Sequence, residues 1–565
     1  MRWLSTFIVI LLSVHCPSSS AAEGDRLDLK DSRWKEVFAE IPVLSGGRIM
    51  PMDTLARNLA AEITGRIRWA DGRGPAGMSD RDHLDLLANL LFRPNEMLKE
   101  ELIPIRNSSL KARLGLEPDA RYFTPMELML SDSLYVMSNA LQTKMLQEPA
   151  YRPSADERAM MDIQQRLIAV SYFVDNKGLA IVLTEDPNTI VGVGILSSDQ
   201  SAAQIQRAIF SLQDAYLNHG DMRAAAQTLL AAIALDAPHS KVPWPNTRLE
   251  LFYNTHQPWK LAALATALAM LFCGTRRFMR SKFGATLSTV LLVLSIAWAG
   301  GELILGLWLR TMILGRVPVS NTYEVLLWMS AVALAIGIIA QIGSPKSGML
   351  LAGLVASLLA NLFAMLVPFD SRTNPLPAVL RTDYWLVFHV LTIVAGYGVL
   401  LLTAIMAHVY LIKHALLRRP CEVGDRSIVR MYRVMQIGVF LLTGGTVLGG
   451  VWAAESWGRF WGWDPKETWS LISIILYFTL LHAWHAGWIR SIGFAISTIV
   501  GFIAIVWTFY GVNYVLASGL HSYGFGTGGG LWLAVWLIAE IVFIQVCLLC
   551  APRTLAGSAR GSRCA

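Results

Sequence analysis

Long apolar runs dominate the second half of the chain, whereas the first half alternates short apolar and polar stretches. From Pro258 onward, nine segments are long enough to cross about 30 Å of hydrocarbon. These segments lie near 258 to 274, 285 to 308, 323 to 343, 349 to 368, 385 to 412, 434 to 454, 467 to 488, 491 to 515 and 531 to 550. The pattern predicts an all-α fold, a polytopic membrane bundle with about nine spans over residues 258–550.

Residues 23–257 have the composition of an ordinary water-soluble domain. Helix-like spacing of apolar residues recurs in 83–92, 126–146, 157–174 and 201–235. Proline and glycine separate these stretches, but they form no recognisable catalytic or phosphate-binding loop. We predict a mostly helical domain, and composition alone assigns it no activity.

The first 22 residues read as a targeting segment. A basic start is followed by a short apolar core and then by small residues that end near Ala22. This order is typical of a secretory signal peptide, and an N-terminal anchor is the alternative. Either interpretation puts residues 23–257 outside the cytoplasm.

Charge gives a second indication of topology. The 48 Lys and Arg residues exceed the 41 Asp and Glu residues, for a formal net charge of +7. In the apolar half the basic residues lie largely in loops of one parity, which favours membrane topology over nucleic-acid binding. The two main groups are Arg276, Arg277, Arg280 and Lys282, and Lys413, Arg418, Arg419, Arg426, Arg430 and Arg433. We therefore expect a bacterial inner-membrane protein whose basic loops, with the tail 551–565, are cytoplasmic.

Cysteines add little to this interpretation. None of the six lies within residues 23–257. The sequence indicates no structural disulfide framework.

Five of the 19 tryptophans crowd into the segment Trp452–Trp469, and the polar run Asp464-Pro-Lys-Glu follows Trp463. One or two tryptophans would be typical of an interfacial aromatic belt. This density instead favours a flat apolar shelf on which a porphyrin can stack, with Arg459 or Lys466 available to its propionates. The candidate shelf residues are Trp457, Trp461, Trp463 and Asp464.

Haem iron needs an axial ligand, and histidine is a common one. His389 lies about one turn inside the fifth span, and His521 follows the eighth, so both are expected on the tryptophan side. We predict that they form a bis-histidine pair, while the plainer alternative is helix packing. His482 falls on the inner half of the seventh span, where a polar group is usually functional, and so a second haem site is plausible. His408 reaches His482 only if the helices are tilted or staggered.

The segment WGRFWGWDPKETWSL resembles the CcsA (ResC) cytochrome c biogenesis proteins of the System II pathway. Supporting motifs are GRVPVSNTYE from Gly315, WLVFHVLTIVAGYG around His389, YFTLLH ending at His482, and FYGVNYVLASGLHSYG around His521. The resemblance implies that His389 and His521 ligate haem b at an external site and that His482 is an intramembrane ligand. It also implies that reduced haem is presented to the CxxCH of apocytochrome c.

The resemblance further implies partners. A separate CcsB (ResB)-like membrane protein is expected, because the N-terminal region is too short to contain one. A thioredoxin-like thiol reductant is a further expected partner, and the chain would then be a component of a System II cytochrome c synthase. The motifs GGRIMPMDTLARNLAAEITGR and ELFYNTHQPWK are similar to the N-terminal extension of some CcsA relatives, to which no chemistry is assigned.

Three other functions fit parts of the pattern. A System I protein similar to CcmC or CcmF shares the tryptophan-rich core, although the Lys-Glu-Thr-Trp continuation at Lys466 favours CcsA. A secondary transporter for haem or another solute would have discontinuous helices and an internal repeat, and no repeat is obvious. A purely structural assembly factor would be separated from the others by the absence of co-purifying haem.

Overall fold

The chain was analysed as a computed structural model that describes most of residues 33–550. The described ranges are 33–45, 48–66, 82–148, 151, 153–174, 200–235, 243–276, 278–343, 348–367, 371–373, 384–417, 425–516 and 530–550. Within them the regular structure is helical apart from four short strands.

The N-terminal half is a helical domain, as the periodicity predicts. Its helices are α1 (Trp34–Glu40), α2 (Met52–Thr64), α3 (His83–Phe92), α4 (Pro94–Met97), α5 (Ser108–Leu114), α6 (Pro125–Met129), α7 (Asp132–Gln147), α8 (Ala155–Val174), α9 (Gln200–Leu217), α10 (Met222–Leu235) and α11 (Trp244–His256). The described strands form two antiparallel pairs, β1 (Pro42–Ser45) with β2 (Arg48–Pro51), and β3 (Ile103–Pro104) with β4 (Tyr122–Phe123).

Local capping explains where several of these helices begin. The Asp82 side chain accepts hydrogen bonds from the amides of Leu84 and Asp85. The Asp85 side chain accepts a hydrogen bond from the Asp82 amide, which completes a capping box for α3. The Ser131 side chain caps α7 by accepting a hydrogen bond from the Leu134 amide, so the apolar stretch 126–146 is two helices and not one. The stretch 201–235 is similarly divided, because α9 ends at Leu217 and α10 begins at Met222.

A buried polar cluster joins α2, α3 and α11. Asp53 accepts hydrogen bonds from Arg57 at 2.7 Å and Asn254 at 2.9 Å, and it lies 2.7 Å from Nε2 of His83. Burial opposes ionisation of Asp53, but the hydrogen bonds from His83 and Arg57 outweigh it and lower its pKa to about 2. The carboxylate is therefore charged at all physiological pH values.

The described part of the membrane half contains nine further helices. They are α12 (Pro258–Thr275), α13 (Lys282–Leu314), α14 (Thr322–Gly343), α15 (Met349–Leu366), α16 (Tyr384–Leu411), α17 (Arg426–Trp457), α18 (Pro465–His485), α19 (Ser491–Val506) and α20 (Gly530–Cys550). Two of them end in π-helical turns, Ile412–Leu416 after α16 and Trp507–Leu516 after α19.

Among the described residues, eight helices are long and apolar enough to cross a membrane. The expected span 467–488 forms α18 but is not one of the eight. Its first turn carries Lys466 and Glu467, and its last turn carries His482 and His485. These polar ends make the helix less apolar than its neighbours, and it still packs against α17 and α19 within the bundle.

Helices α16 and α17 approach each other especially closely. A Cβ atom added at Gly396 would lie 2.9 Å from the Leu442 amide nitrogen, and one added at Gly445 would lie 2.7 Å from the Ile393 backbone. Only glycine permits such contact, as is common where membrane helices meet. The two backbones therefore pack with almost no side-chain layer between them at these points.

The start of α16, the end of α17 and the start of α18 lie together, and we call this the tryptophan end of the bundle. Tyr514, at the end of the π-helical turn after α19, donates a hydrogen bond to Thr322 at the start of α14, which adds both elements to this end. The N-terminal domain contacts the same end, because Arg48 donates to Thr373, in the segment between α15 and α16. The opposite end carries Arg276, Lys413, Arg426 and Arg490 among its basic residues.

Candidate functional site

His389 lies in the second turn of α16, at the tryptophan end. Its Nδ1 atom is 2.7 Å from the Gly445 carbonyl oxygen on α17. A carbonyl can only accept, so Nδ1 carries the proton, and in the neutral ring Nε2 has the lone pair. A backbone carbonyl bound to one ring nitrogen is the usual way in which a metal-ligating histidine is oriented.

Gly449 makes this placement possible. A Cβ atom at Gly449 would lie 2.6 Å from Cε1 and 2.8 Å from Nδ1 of His389. The imidazole therefore occupies the space where any other residue would carry its side chain. One turn earlier, Gly445 provides both the carbonyl partner and the close backbone contact with Ile393.

The tryptophan-rich segment Trp452–Trp469 runs from the bundle interior to its surface. Trp452 is 1% exposed and its ring is parallel to that of His389, with 5° between planes and 6.5 Å between centroids. Trp457 meets Trp452 edge-on at 4.6 Å, and Trp461 meets Trp463 edge-on at 6.0 Å. Trp463 is 70% exposed, so the segment presents apolar aromatic area outward at Trp463, while its buried Trp452 lies beside His389.

Glu467 holds the exposed part of this segment. Its carboxylate accepts hydrogen bonds from the Gly462 amide at 2.7 Å and the Asp464 amide at 3.2 Å. These amides flank Trp463, which adopts a left-handed φ of 57°, rare for a residue with a side chain. The two hydrogen bonds therefore hold the backbone at Trp463 in this strained conformation, and the pairing of Arg459 with Glu467 at 3.2 Å adds a further restraint.

The polar residues Arg459, Asp464 and Lys466 of this segment all make contacts within the protein. Asp464 is buried, caps α18 through the Lys466 amide and forms a capping box with Glu467. Lys466 donates to the Asn513 side chain at 2.9 Å, and Arg459 lies over the Trp457 ring at 5.7 Å as well as pairing with Glu467. Their contacts thus connect the segment to α18 and to the turn after α19.

His482 lies near the far end of α18, away from the tryptophan end. Its Nδ1 atom is 2.7 Å from the Phe478 carbonyl oxygen of its own helix, which again leaves the Nε2 lone pair for coordination. The sequence suggests a side chain buried in the inner half of a span. In this chain the side chain is exposed on the outside of the bundle, because α18 turns its His482 face away from α17 and α19.

His408 differs from these two histidines in its contacts. Its Nδ1 atom is 2.8 Å from the Ala404 carbonyl oxygen, and its Nε2 atom is 3.0 Å from the Glu540 carboxylate on α20. Both ring nitrogens therefore face acceptors, and the ring stacks on Phe543 at 4.9 Å. His408 therefore joins α16 to α20.

The second expected external ligand, His521, lies outside the described residues. The predicted pair with His389 is therefore a matter for proposal. Among the described histidines of the membrane half, His389 is the one beside the tryptophan-rich segment.

Comparison with known proteins gives the family. The model of a family described as cytochrome c assembly protein matches residues 319–521. CcsA of Trieres chinensis is 33% identical over 254 residues, which cover 80% of that protein and 38% of this chain. CcsA of Parasynechococcus marenigrum is 31% identical, again over 80% of its length. The chain belongs to the CcsA family of cytochrome c biogenesis proteins.

The N-terminal domain has a counterpart in another relative. Protein NrfI of Wolinella succinogenes is 27% identical in an alignment that covers 93% of this CcsA-family chain. The chain spans about three fifths of the length of NrfI, since 59% of that protein is matched. The similarity thus extends well beyond the part shared with the shorter CcsA proteins.

Sequence reasoning missed several residues that build the site. Gly445 and Gly449 are the most important, and their signal is the small-residue repeat at four-residue spacing in TGGTVLGG. Glu467 was missed as the residue that fixes the loop, although Asp-x-x-Glu at Asp464 is the signature of a capping box. The pairing of His408 with Glu540 has no local signal, because 132 residues separate the two.

Proposed function

We propose that this CcsA-family protein binds haem b at its tryptophan end and presents it for thioether attachment to the CxxCH of apocytochrome c. The observation that carries this proposal is the placement of His389. Its imidazole is oriented by the Gly445 carbonyl, accommodated by Gly449 and parallel to the ring of Trp452, the first tryptophan of the tryptophan-rich segment. An oriented histidine beside an apolar aromatic shelf suits a flat, largely apolar iron porphyrin.

Each group has a distinct contribution in this proposal. His389 and His521 supply axial nitrogen ligands, and Trp457, Trp461 and Trp463 supply stacking area. Asp464 contributes indirectly, since it caps α18 and thereby holds the loop that carries Trp463. The protein mainly positions haem, since adding cysteine thiols across its vinyl groups depends on orientation and on reduced iron and thiols.

His482 forms part of a second, intramembrane haem site in the same proposal. Its exposure on the outside of the bundle supports completion of that site by another protein, and a CcsB-like membrane protein is the expected partner. A polar side chain facing lipid is unfavourable, so a protein partner at this face has a physical reason. A thioredoxin-like reductant would keep the cysteines of apocytochrome c reduced.

We further propose that the tryptophan end faces the periplasm of a bacterial inner membrane. The basic residues at the opposite end support this orientation, because positively charged loops remain in the cytoplasm. The attachment of the N-terminal domain to the tryptophan end agrees with an export signal in the first 22 residues.

The test uses the full chain co-expressed with a CcsB-like partner and a reporter apocytochrome c. His389→Ala and His482→Ala should each lower holocytochrome yield and change the absorption spectrum of co-purified haem. Imidazole added to the medium should partly restore His389→Ala, because the site is near the aqueous face, and should restore His482→Ala less. His485→Ala is the matched control, since it lies one turn from His482 on an equally exposed part of α18.

Two outcomes would contradict the proposal. One is a wild-type haem spectrum in correctly inserted His389→Ala, which would return that histidine to a packing role. The other is an equal effect of His482→Ala and His485→Ala on yield and spectrum, which would show that His482 has no specific role in an intramembrane haem site.

A further inference from the structure

Two motifs in the N-terminal region have no function in the account above. The first, beginning at Gly46, contributes Arg48, Asp53 and Thr54, and the second contributes Glu250 and Asn254 on α11. The structure brings the two motifs together at the tryptophan end of the bundle. Asn254 donates to both Asp53 and Thr54, at 2.9 Å and 2.8 Å.

The centre of this contact is a buried ion pair. Arg48 donates through Nη1 and Nη2 to the two carboxylate oxygens of Glu250, at 2.7 Å and 2.6 Å. Glu250 is 2% exposed, and its Oε1 atom also accepts hydrogen bonds from Thr54 at 3.0 Å and Thr373 at 2.9 Å. A two-point Arg–carboxylate pair in a buried setting fixes geometry strongly.

Thr373 belongs to the membrane half, in the segment that connects α15 to α16. Both Arg48 and Glu250 contact its hydroxyl group. The ion pair of the N-terminal domain therefore holds this residue from the domain side, and Arg372 adds a weaker pair with Glu62 on α2 at 3.4 Å.

The bundle holds the same segment from the other side. Arg310 on α13 is fully buried and donates to the main-chain oxygens of Ser371 and Arg372, both at 3.1 Å. Glu324, at the start of α14 and also fully buried, holds Arg310 through two hydrogen bonds of 3.0 Å. Glu324 ends the GRVPVSNTYE motif, so this motif supports the segment from the membrane side.

We infer that the N-terminal domain positions the segment 371–373, and through it the beginning of α16 that carries His389. We call the group Arg48, Glu250, Thr373 and Arg310 the 371–373 clamp. The described contacts lead from this segment to α16 through α14: Glu324, which holds Arg310, lies at the start of α14, and Trp328 one turn later donates to the Leu391 carbonyl at 3.3 Å. Helix α16 begins at Tyr384, and His389 lies in its second turn. The role of the 371–373 clamp in haem binding rests on the proposed function, whereas the effect of the clamp on the position of α16 does not.

The inference makes Arg48 and Glu250 positioning residues. In the described part of the chain, Arg48 and Glu250 contact each other and Thr373, so they act through the segment they hold. The N-terminal domain thereby acquires a function in the membrane half: it restrains the end of the helix on which the proposed haem ligand lies.

The test is hydrogen–deuterium exchange of the full-length protein in detergent micelles or nanodiscs, read in peptides covering 371–373 and 384–390. Arg48→Gln and Glu250→Gln should speed exchange in both peptides by about tenfold, since each removes a charge-assisted contact. Arg48→Lys should cause a smaller increase, because lysine keeps the charge but not the two-point geometry. Lys35→Gln, which removes an ion pair with Asp85 elsewhere in the domain, is the matched control and should leave both peptides unchanged.

Thr373→Val is the second variant, because it keeps the ion pair and removes only the hydroxyl contact with the segment. It should speed exchange in the same two peptides without loosening the rest of the domain. Faster exchange in 371–373 with an unchanged 384–390 peptide would overturn the inference. So would wild-type exchange in both peptides of Arg48→Gln.

The haem spectrum separates this inference from the proposed function. Arg48→Gln and Thr373→Val should change the spectrum in the same direction as His389→Ala but to a smaller extent. A changed spectrum in His389→Ala with a wild-type spectrum in both clamp variants would overturn the positioning role and leave the proposed function intact. An unchanged spectrum in His389→Ala would refute the haem assignment, and the exchange of 384–390 would still decide whether the clamp positions α16.

Discussion

Replacing Gly449 by alanine is the most direct test of the way the bundle accommodates His389. The new Cβ atom would lie 2.6 Å from Cε1 of the imidazole, whereas carbon atoms in contact are about 3.5 to 4.0 Å apart. An overlap of about 1 Å cannot be absorbed in place, because the ring is fixed by its 2.7 Å contact with the Gly445 carbonyl. We expect the ring to move and this hydrogen bond to break.

The expected change in the free energy of unfolding is the sum of two costs and one gain. Overpacking typically costs about 1 to 3 kcal/mol, and the lost hydrogen bond adds about 1 kcal/mol. Replacing a helical glycine by alanine returns up to about 1 kcal/mol. We expect Gly449→Ala to lower the free energy of unfolding by about 1 to 3 kcal/mol and to reduce holocytochrome yield to the level of His389→Ala.

Gly444→Ala is the matched control on the same helix. Within the described residues, a Cβ atom at Gly444 would meet nothing within 4 Å, so this variant keeps the propensity effect without the clash. The assay compares thermal unfolding, haem spectrum and holocytochrome yield of the two variants. Imidazole should fail to restore Gly449→Ala, because the displaced ring still fills the site. Indistinguishable haem content in the two variants would refute the argument.

Three further predictions follow from other features. Trp463→Ala should weaken haem retention without changing the ligand type in the absorption spectrum, since a 70% exposed ring offers stacking area and not coordination; a shift in ligand type would contradict this. Asp53→Asn should lower the free energy of unfolding of the N-terminal domain by roughly 2 kcal/mol at neutral pH, because the pKa of Asp53 is lowered from 3.8 to about 2. The stabilisation by Asp53 in the wild type should be lost only as the pH falls from about 4 towards 2. Equal thermal unfolding of Asp53→Asn and wild type at pH 7 would refute this prediction. A reporter active only outside the cytoplasm should work when fused after Trp463 and fail after Arg426, and the reverse pattern would invert the proposed orientation.

The apolar pattern predicted the fold well because membrane helices are specified by length and composition. The helix of residues 285–308 was placed correctly but is longer, Lys282–Leu314, since Ser281 caps it and polar Arg310 lies inside it. Arg310 is tolerated there because Glu324 and main-chain oxygens satisfy it, a partnership that hydropathy does not reveal. The expected span 467–488 is likewise a helix, but because of its polar ends it is not among the eight helices that are long and apolar enough to cross a membrane.

The candidate site was predictable only in part. Tryptophan density indicated the aromatic surface, and position within a span indicated the end at which His389 lies. The sequence could not reveal that Gly449 leaves room for the ring, because this depends on the approach of α16 and α17. Nor could it reveal that His482 faces outward, since apolar residues lie on all sides of α18 between its polar ends and give no sign of which side meets its neighbours.

The close contact of α16 and α17 has a mechanical consequence. Side chains normally act as a compliant layer between helices, and here glycines remove that layer at Gly396 and Gly445. Trp452 and His389 lie on the two sides of this contact. A force that displaces Trp452 would therefore reach the imidazole with little loss, because the two helices would move together as one rigid unit.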